Sequence, residues 1–299
     1  MASSCQSSDI MSESQVEAFQ RDGCVLVKNV FTPEDLQLIS DGIEQNLECP
    51  SQYASENSVL KGEGRFFDDY CNWQRIKEFR DIVYMEKVGR LAARAMKSSS
   101  VQFFHDHVLV KEPFTKKLTP WHADMPYYFL DGMQTVSMWI PLESVDKDTS
   151  LKFIAGSHLW KKMMRPLSWA DSSDFYDSSN RFKNKSFDND KEYENVPSTD
   201  LIFEKHNNTI LSWALEPGDI LMFHFKTAHA ASGNMHSKRR RALSLRFVGD
   251  DVVYQTRPGK TSPPFPGHNM IDGQKLRKDW FPIIYPSDKV TTGVCRSKV

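Results

Sequence analysis

The stretch TPWHADMPYY, residues 119–128, places an imidazole and a carboxylate two positions apart. In an extended strand this spacing puts the side chains of His122 and Asp124 on the same face, close enough to share a metal ion. A lone His-x-Asp is a weak pattern, because a hydrogen-bonded pair at the end of a strand has the same spacing. The pattern therefore needs a further ligand elsewhere in the chain.

A second stretch, PGDILMFHFKTAHA at residues 217–230, offers such a ligand after a turn and an apolar strand. Two histidines and one carboxylate on one face of a divalent ion form the facial triad of non-haem Fe(II) oxygenases, which leaves coordination positions open. His224 and His229 are five residues apart, so a continuous strand would point them to opposite faces and only one could be a ligand.

The composition gives no sign of a polyanionic or membrane partner. The chain has 299 residues, 39% of them hydrophobic, and its 38 basic and 39 acidic side chains give a net charge of −1. This balance provides no electrostatic case for binding nucleic acid or an anionic membrane. No apolar run approaches the ~18 residues of a transmembrane helix. We therefore predict a protein that binds neither nucleic acid nor membrane and is a monomer or a weak homo-oligomer.

The cysteines and the two ends of the chain indicate the cellular compartment of the protein. The five cysteines are an odd number without CxxC spacing, which indicates neither a disulfide framework nor a zinc site. Reduced thiols and the absence of a signal-peptide pattern predict a cytoplasmic protein. The last three residues, Ser297-Lys298-Val299, resemble the peroxisomal Ser-Lys-Leu address but end in a different aliphatic residue, so a peroxisomal location is the minor alternative.

The predicted organisation is a disordered, serine-rich leader at residues 1–13 followed by a single domain at residues 14–299. Apolar residues at helical spacing predict a helical preface over residues 14–100. From residue 101 to about 255, short strands separated by turns replace the helices. This order predicts a mainly β fold with supporting helices, in which the strands form a double-sheet jelly roll.

Two segments fall outside the regular strands of this core. Residues 160–198 are polar, contain spaced aromatic residues and are too long for an ordinary loop, which predicts a lid-like insertion near the mouth of the barrel. Residues 256–299 form a C-terminal extension.

Further motifs follow the first stretch in a fixed order: WIPL at residues 139–142, LKFIAGSH at 151–158, and PGD at 217–219 ahead of His229. Together with TPWHAD at 119–124 they resemble the successive signatures of the phytanoyl-CoA dioxygenase family. Its members are Fe(II)- and 2-oxoglutarate-dependent oxygenases on a double-stranded β-helix, a cupin-like jelly roll. The resemblance covers roughly residues 15–255, and several motifs in order are much more specific than any one.

The resemblance implies a metal site formed by His122, Asp124 and His229, because the family pattern places the ligand at the second histidine, before small residues. His224 is then a residue around the site or a packing residue. The implied cofactor is Fe(II), with 2-oxoglutarate and O2 as co-substrates. Ala231 stands where a serine in the family often helps to bind 2-oxoglutarate, so that contact is missing here.

The co-substrate needs a cation for its distal carboxylate, and arginine meets a carboxylate through two parallel hydrogen bonds. Family spacing points to Arg240. Strand parity favours its neighbour Arg241, which alternates in phase with Leu243 and Leu245. Trp139 is a further candidate for a place beside the co-substrate, although an ordinary core tryptophan on a strand has the same pattern.

Four residues are candidates for the substrate pocket or its surroundings. Lys111 and His107 lie on one face of the strand before the first metal motif, and Tyr127 and Tyr128 follow it. Aromatic walls favour a small-molecule substrate.

The resemblance implies hydroxylation of a small molecule with release of succinate and CO2. Two alternatives remain open: a catalytically silent, cupin-like protein that only binds a metal or small molecule, and a metallohydrolase, for which two histidines, an aspartate and a water are adequate coordination. The sequence does not choose among acyl-CoA, amino-acid, phosphonate and other substrates.

Overall fold

A computed structural model describes most of the chain: residues 10–57, 64–169, 173–176, 192–206 and 209–286. The C-terminal Ser297-Lys298-Val299 and residues 1–9 of the predicted leader lie outside the described residues, as do residues 170–172 and 177–191 of the predicted insertion. Within the ranges described, no helix combines the length and the apolar character that crossing a bilayer requires.

Short antiparallel strands make up most of the regular structure, as the alternation of strands and turns predicted. Their bounds are β1 (Cys24–Val27), β2 (Ser55–Glu56), β3 (Phe66–Tyr70), β4 (Val101–Lys111), β5 (Thr119–His122), β6 (Leu130–Asp131), β7 (Thr135–Pro141), β8 (Leu151–Ile154), β9 (Met163–Met164), β10 (Tyr193–Glu194), β11 (Ile210–Leu211), β12 (Ile220–Phe223), β13 (His229–Ala231), β14 (Arg240–Val248), β15 (Val253–Tyr254) and β16 (Ile283–Tyr285).

Two of the sheets form the jelly roll. The larger has eight strands in the order β1-β12-β7-β14-β4-β3-β2, with β16 also paired to β4, and the smaller has four strands in the order β11-β8-β13-β5. Apolar side chains from both sheets meet between them, among them Leu221 and Phe223 from the large sheet and Phe153 and Ala231 from the small one. The prediction of a mainly β, cupin-like jelly roll is confirmed.

The helices cover the other face of the large sheet. Leu243, Leu245 and Phe247 of β14 share one apolar cluster with Ile39 and Leu91 of these helices. Their bounds are α1 (Glu13–Asp22), α2 (Pro33–Glu48), α3 (Lys77–Val83), α4 (Glu86–Met96) and α5 (Thr199–His206), of which the first four belong to this layer.

The segments that flank the predicted core also pack against it. Ser12 caps the first turn of α1 and Met11 is fully buried, so the end of the predicted leader packs into the domain. The predicted preface contributes a strand as well as helices, since β1 pairs with β12 in the large sheet. The predicted C-terminal extension likewise contributes β16, which pairs with β4. Segments on both sides of the predicted core therefore complete its sheet.

Candidate metal centre

His122 and His229 meet because β5 and β13 are neighbours in the small sheet. The two residues are directly opposite each other, and their ring centroids are 4.2 Å apart. Asp124 Oδ1 lies 3.7 Å from His122 Nε2 and 3.9 Å from His229 Nε2. One ligand atom from each residue falls within 4.8 Å of the other two, and all three side chains are buried. The donor set and its compactness fit a divalent metal ion.

Asp124 reaches this position by a turn and not by strand alternation. The two-residue spacing predicted that His122 and Asp124 lie on one face of a single extended strand. In the structure β5 ends at His122, and Asp124 has helical backbone angles (φ −69°, ψ −41°) at the start of a 3-10 helix, Met125–Tyr127. The turn brings the carboxylate back beside the imidazole.

Both histidines are held in the tautomer that a metal requires. The Nδ1 atom of His122 lies 2.8 Å from the carbonyl oxygen of Pro120, and that of His229 lies 2.9 Å from the carbonyl oxygen of Thr227. A carbonyl only accepts, so Nδ1 donates in each ring and the lone pair of Nε2 faces Asp124. Burial lowers the pKa of both rings, to about 3 for His122.

The carboxylate is fixed from the large sheet. Ser137 Oγ donates to Asp124 Oδ2 at 2.8 Å, and Arg246 Nη2 lies 3.4 Å from the same oxygen. Burial alone would raise the pKa of Asp124, but Arg246 and then the two histidines hold it well below its usual range. Sequence reasoning missed Ser137, since a serine inside an apolar strand carries no signal. The strand parity that Arg246 shares with Arg240 could have indicated it.

His224 lies outside this arrangement. It sits in the turn after β12 ends at Phe223 and before β13 begins at His229, so the argument from a continuous strand does not apply. His224 Nε2 donates to the carbonyl oxygen of Met133 at 2.8 Å, and Nδ1 accepts from the backbone N–H of Lys226 at 2.9 Å. His224 stabilises the turn that leads to His229 and lines neither of the cavities beside the triad.

Lys111 and Arg240, two cations without a partner carboxylate in the described ranges, line a small cavity beside His122 and His229, together with the Asp124-paired Arg246. Lys111 and Arg240 are opposite each other on β4 and β14, and both donate to the carbonyl oxygen of Ser232, at 3.0 and 2.9 Å. Burial lowers the pKa of Arg240 to about 10, and burial followed by Arg240 lowers the pKa of Lys111 well below its usual range. Within the described ranges no carboxylate pairs with either cation or lines this cavity.

The rest of the small cavity is largely apolar. Trp139, Leu109 and Phe223 line it together with Ala231. The structure thus brings the predicted co-substrate residues Arg240 and Trp139 together with Lys111, at the edge of the metal triad.

Arg241 faces the opposite side of the large sheet. Its guanidinium bonds to Glu143 at 2.9 Å and to Glu44 of α2 at 2.9 Å. It shares strand parity with Leu243 and Leu245, as noted from the sequence, but that face of β14 packs against the helices. The cavity lies on the other face.

A larger cavity of about 450 Å³ shares His122, Trp169 and Arg246 with the small one as lining residues. Tyr127 and Tyr128 line it: the Tyr127 hydroxyl donates to the carbonyl oxygen of Leu167 at 2.7 Å, and the Tyr128 hydroxyl accepts from Arg246 Nε at 3.2 Å. His107 also lines it and is 2.8 Å from Asp68 Oδ2. Sequence reasoning missed further lining residues, which come from separate loops and strands: Asn57, Asp68, Tyr70, His105, Trp169, Phe175, Lys260 and Ser262.

Comparison with known proteins identifies the family. The model of the phytanoyl-CoA dioxygenase (PhyH) family matches residues 19–242, well over half of the chain. The chain belongs to the phytanoyl-CoA dioxygenase family. This confirms the resemblance drawn from the ordered motifs.

The relatives of this family member are distant. It is 27% identical to an ectoine dioxygenase of Streptomyces coelicolor over 155 residues, and it spans about half the length of that protein. Among solved structures it is similar to the carbocyclase SnoK from nogalamycin biosynthesis, with a TM-score of 0.68, 20% identity and coverage of 91% of this chain and 96% of that one. EctD from S. alaskensis gives a TM-score of 0.64 at 17% identity, covering 91% and 88%. At these identities the structural likeness shows the fold.

Proposed function

We propose that this protein is a non-haem Fe(II)- and 2-oxoglutarate-dependent dioxygenase that hydroxylates a small-molecule substrate and releases succinate and CO2. The observation that carries the proposal is the pair Lys111 and Arg240, two cations without a partner carboxylate in the described ranges, in a cavity that also contains His122 and His229. Cations in such a setting favour an anionic ligand. A dicarboxylate beside a facial triad meets this requirement.

The buried triad provides the proposed metal ligands. His122, Asp124 and His229 would hold the iron, and the resemblance to the family implies the same set. Bound iron, 2-oxoglutarate and O2 would supply the oxidising chemistry for a substrate C–H bond: one oxygen atom of O2 would enter the hydroxylated product and the other the succinate that forms as the keto acid loses CO2. Ser137 and Arg246 orient the carboxylate of Asp124 and keep it ionised. The Nδ1 hydrogen bonds of the histidines keep each Nε2 lone pair directed inward.

The small cavity is the proposed site of the co-substrate. Arg240 and Lys111 would neutralise its distal carboxylate, and Trp139 provides an apolar wall. Lys111 compensates for the serine that Ala231 replaces, because its ammonium group lies next to Arg240 on the same carbonyl oxygen. The larger cavity, which His122 and Asp124 also line, is the proposed substrate site, with Tyr127 and Tyr128 in its wall.

Two relatives support the proposal by what they contain. The structure of the epimerase SnoN is a complex with Fe3+, alpha ketoglutarate and nogalamycin RO. The structure of EctD from S. alaskensis contains 2-oxoglutarate and 5-hydroxyectoine. A metallohydrolase would not require two unneutralised cations beside the triad. A catalytically silent binding protein would not require an intact triad.

Anaerobic titration of the Fe(II)-loaded protein with 2-oxoglutarate tests the proposal. We expect a visible metal-to-ligand charge-transfer band, because the keto acid chelates the iron, and we expect the Arg241→Ala variant to give the same band. Absence of the band in both proteins, together with hydrolysis of a model ester by the zinc-loaded form, would instead establish the metallohydrolase. Absence of the band without any turnover would establish the silent binding protein.

A further inference from the structure

His105 occupies a defined position beside the metal centre. It is opposite Arg246 in the pairing of β4 with β14, and Arg246 is opposite Ser137 in the pairing of β14 with β7. Directly paired residues of antiparallel strands project to the same face. Ser137, Arg246 and His105 therefore form a row across the neighbouring strands β7, β14 and β4, with their side chains on one face. Arg246 and Ser137 both contact Asp124, so His105 is on the face of the sheet that carries the metal centre.

A bulge in β4 produces this orientation. Arg246 pairs with His105 while Phe247 pairs with Phe103, so β4 has one extra residue, Phe104. Such a bulge shifts the alternation of side chains by one position. His105 and His107 therefore line the larger cavity, whereas Phe103 packs on the opposite face, towards the helices.

His105, which lines this cavity, carries a buried hydrogen-bond acceptor without a partner in the described residues. Its Nδ1 atom lies 3.0 Å from the carbonyl oxygen of Asp106, which can only accept, so the ring proton is on Nδ1. Burial, followed by Arg246, lowers the pKa of His105 well below its ordinary value, which keeps the ring neutral. Nε2 then carries a lone pair, and it has no partner among the residues that the structure describes, although His105 is only 2% exposed. Buried polar atoms are normally paired, so this one favours a ligand that donates to it.

The charged groups of the cavity discriminate against anions. Asp68 is buried in its wall and accepts from Asn57 and His107. Arg246 is paired with Asp124 through Nη2, which balances its charge, while its Nη1 atom is buried and has no hydrogen-bond partner among the described residues. Lys260, which lies over the ring of Phe175 at 4.7 Å, is exposed. A carboxylate, a phosphate or a coenzyme A thioester near the metal would therefore face an acidic wall and, in the described part of the cavity, no buried cation whose charge is not already balanced.

The remaining wall is aromatic. Trp169 lies parallel to His107 at 5.9 Å and edge-on to His122 at 5.0 Å, and Tyr127 and Phe175 are in contact at 5.1 Å. Planar apolar faces opposite polar acceptors suit a ring that has an apolar face and hydroxyl groups at its edge.

We propose that the larger cavity takes an uncharged ring compound bearing hydroxyl groups, one of which donates to Nε2 of His105. This inference rests on the proposed function, because it treats the cavity as the substrate site of the iron-dependent reaction. It makes His105 a specificity-determining residue that contacts the substrate.

Two sets of probes and two readouts test the inference. The neutral hydroxylated rings are methyl glucopyranoside, myo-inositol and catechol, and the anions are hexanoate and hexanoyl-CoA. Binding is measured by ligand-observed NMR on the metal-free full chain, and as a perturbation of the visible band of the anaerobic protein loaded with Fe(II) and 2-oxoglutarate. We expect at least one hydroxylated ring to bind and the anions not to bind. Preferential binding of an anion would overturn the inference.

Variants at His105 separate its acceptor role from packing. His105→Phe keeps an aromatic ring but leaves the substrate hydroxyl unpaired, so affinity for the hydroxylated ring should fall roughly five- to hundredfold. His105→Gln places an amide oxygen near Nε2 and should retain most of the affinity. His236→Phe is the matched control, since this histidine is about half exposed and lines neither cavity. Equal affinity of wild type and His105→Phe would refute the acceptor role.

The outcomes for the two proposals are distinguishable. If hydroxylated rings bind to a protein that shows no visible band, the proposed iron and 2-oxoglutarate chemistry fails while the inference about the cavity stands. If the band forms but no hydroxylated ring binds, the inference about the cavity fails while the proposed iron and 2-oxoglutarate chemistry stands. If His105→Phe does not fold, the selectivity of the wild type and the His105→Gln variant decides.

Discussion

Arg240 and Arg241 are adjacent in β14 and face opposite sides of the large sheet, so substitutions at the two sites should have different effects. We expect Arg240→Ala to weaken 2-oxoglutarate binding at least tenfold, because a charge-assisted hydrogen bond contributes about 1.5–3 kcal/mol. Arg240→Lys should retain part of the affinity, since lysine supplies the charge without the planar fork. The measurement is the 2-oxoglutarate dissociation constant from the anaerobic visible titration.

Arg241→Ala is the control for this prediction. It should leave the dissociation constant unchanged and remove the contacts to Glu143 and Glu44. A large rise in the constant for Arg241→Ala alone would show that the co-substrate binds on the other face of β14.

Substitutions in the triad and at His224 should likewise have different effects on Fe(II) binding. Asp124→Ala should abolish stoichiometric Fe(II) binding while the protein stays folded, because the metal loses its anionic ligand. His229→Ala should weaken Fe(II) binding strongly, whereas His224→Ala should have a much milder effect, since His224 bonds to Met133 and Lys226 in a turn. Fe(II) content after dialysis, with circular dichroism for the fold, measures both effects. A stronger effect of His224→Ala than of His229→Ala would mean that His224 is the metal ligand.

His224 should also make stability depend on pH. Burial, then His158, lowers its pKa to about 3. The unfolded chain therefore binds one more proton at this site between about pH 6.5 and pH 3. The stability present above pH 6.5 is lost as the pH falls through this window, by up to about 1.4 kcal/mol per pH unit. Urea unfolding at pH 7 and pH 5 should show a shallower pH dependence for His224→Gln than for the wild type. Identical pH dependence would contradict this assignment.

At the scale of elements, the alternation of side chains along a strand predicted which residues share a face only where no bulge or turn interrupts the strand. The regular stretch of β14 predicted correctly that Arg241 shares a face with Leu243, but which face packs against helices follows from the assembled layers. The bulge at Phe104 cannot be seen in the sequence, because Phe103 and Phe104 are both apolar, and it decides where His105 points. The turn at Asp124 likewise depends on contacts with Ser137 and Arg246, which are distant in the chain.

The segment before residue 170 is anchored to the wall of the larger cavity through one tyrosine. The hydroxyl of Tyr127 donates to the carbonyl oxygen of Leu167 and accepts from its backbone N–H at 2.9 Å. We expect Tyr127→Phe to raise the hydrogen-exchange rate of the Leu167 amide about five- to tenfold, because each such bond contributes about 1 kcal/mol. Tyr128→Phe is the matched control, since the Tyr128 hydroxyl bonds to Arg246. An unchanged exchange rate in Tyr127→Phe would show that other contacts hold this segment.

At the scale of the whole molecule, the predicted C-terminal extension packs against the strands of the jelly roll. The family match ends at residue 242, yet the chain after it continues β14 to Val248 and contributes β16. Phe265 and Phe281, both in the predicted C-terminal extension, pack in one cluster with Phe104 and Phe129. An extension that adds a strand and large apolar side chains should fold together with the barrel as a single cooperative unit.

Phe281 provides a test of that cooperativity. Its side chain is fully buried, and its ring lies 5.0 Å from that of Phe265 and 5.4 Å from that of Phe104. Phe281→Ala removes these contacts and leaves a cavity, so the free energy of unfolding should fall by about 3–5 kcal/mol. Ile271→Ala, in the same extension but 72% exposed, should change it by less than about 0.5 kcal/mol. Urea unfolding followed by circular dichroism should give one transition in both variants, shifted only in the first. A separate early transition in Phe281→Ala, with the main transition unmoved, would show instead that the extension unfolds independently of the barrel.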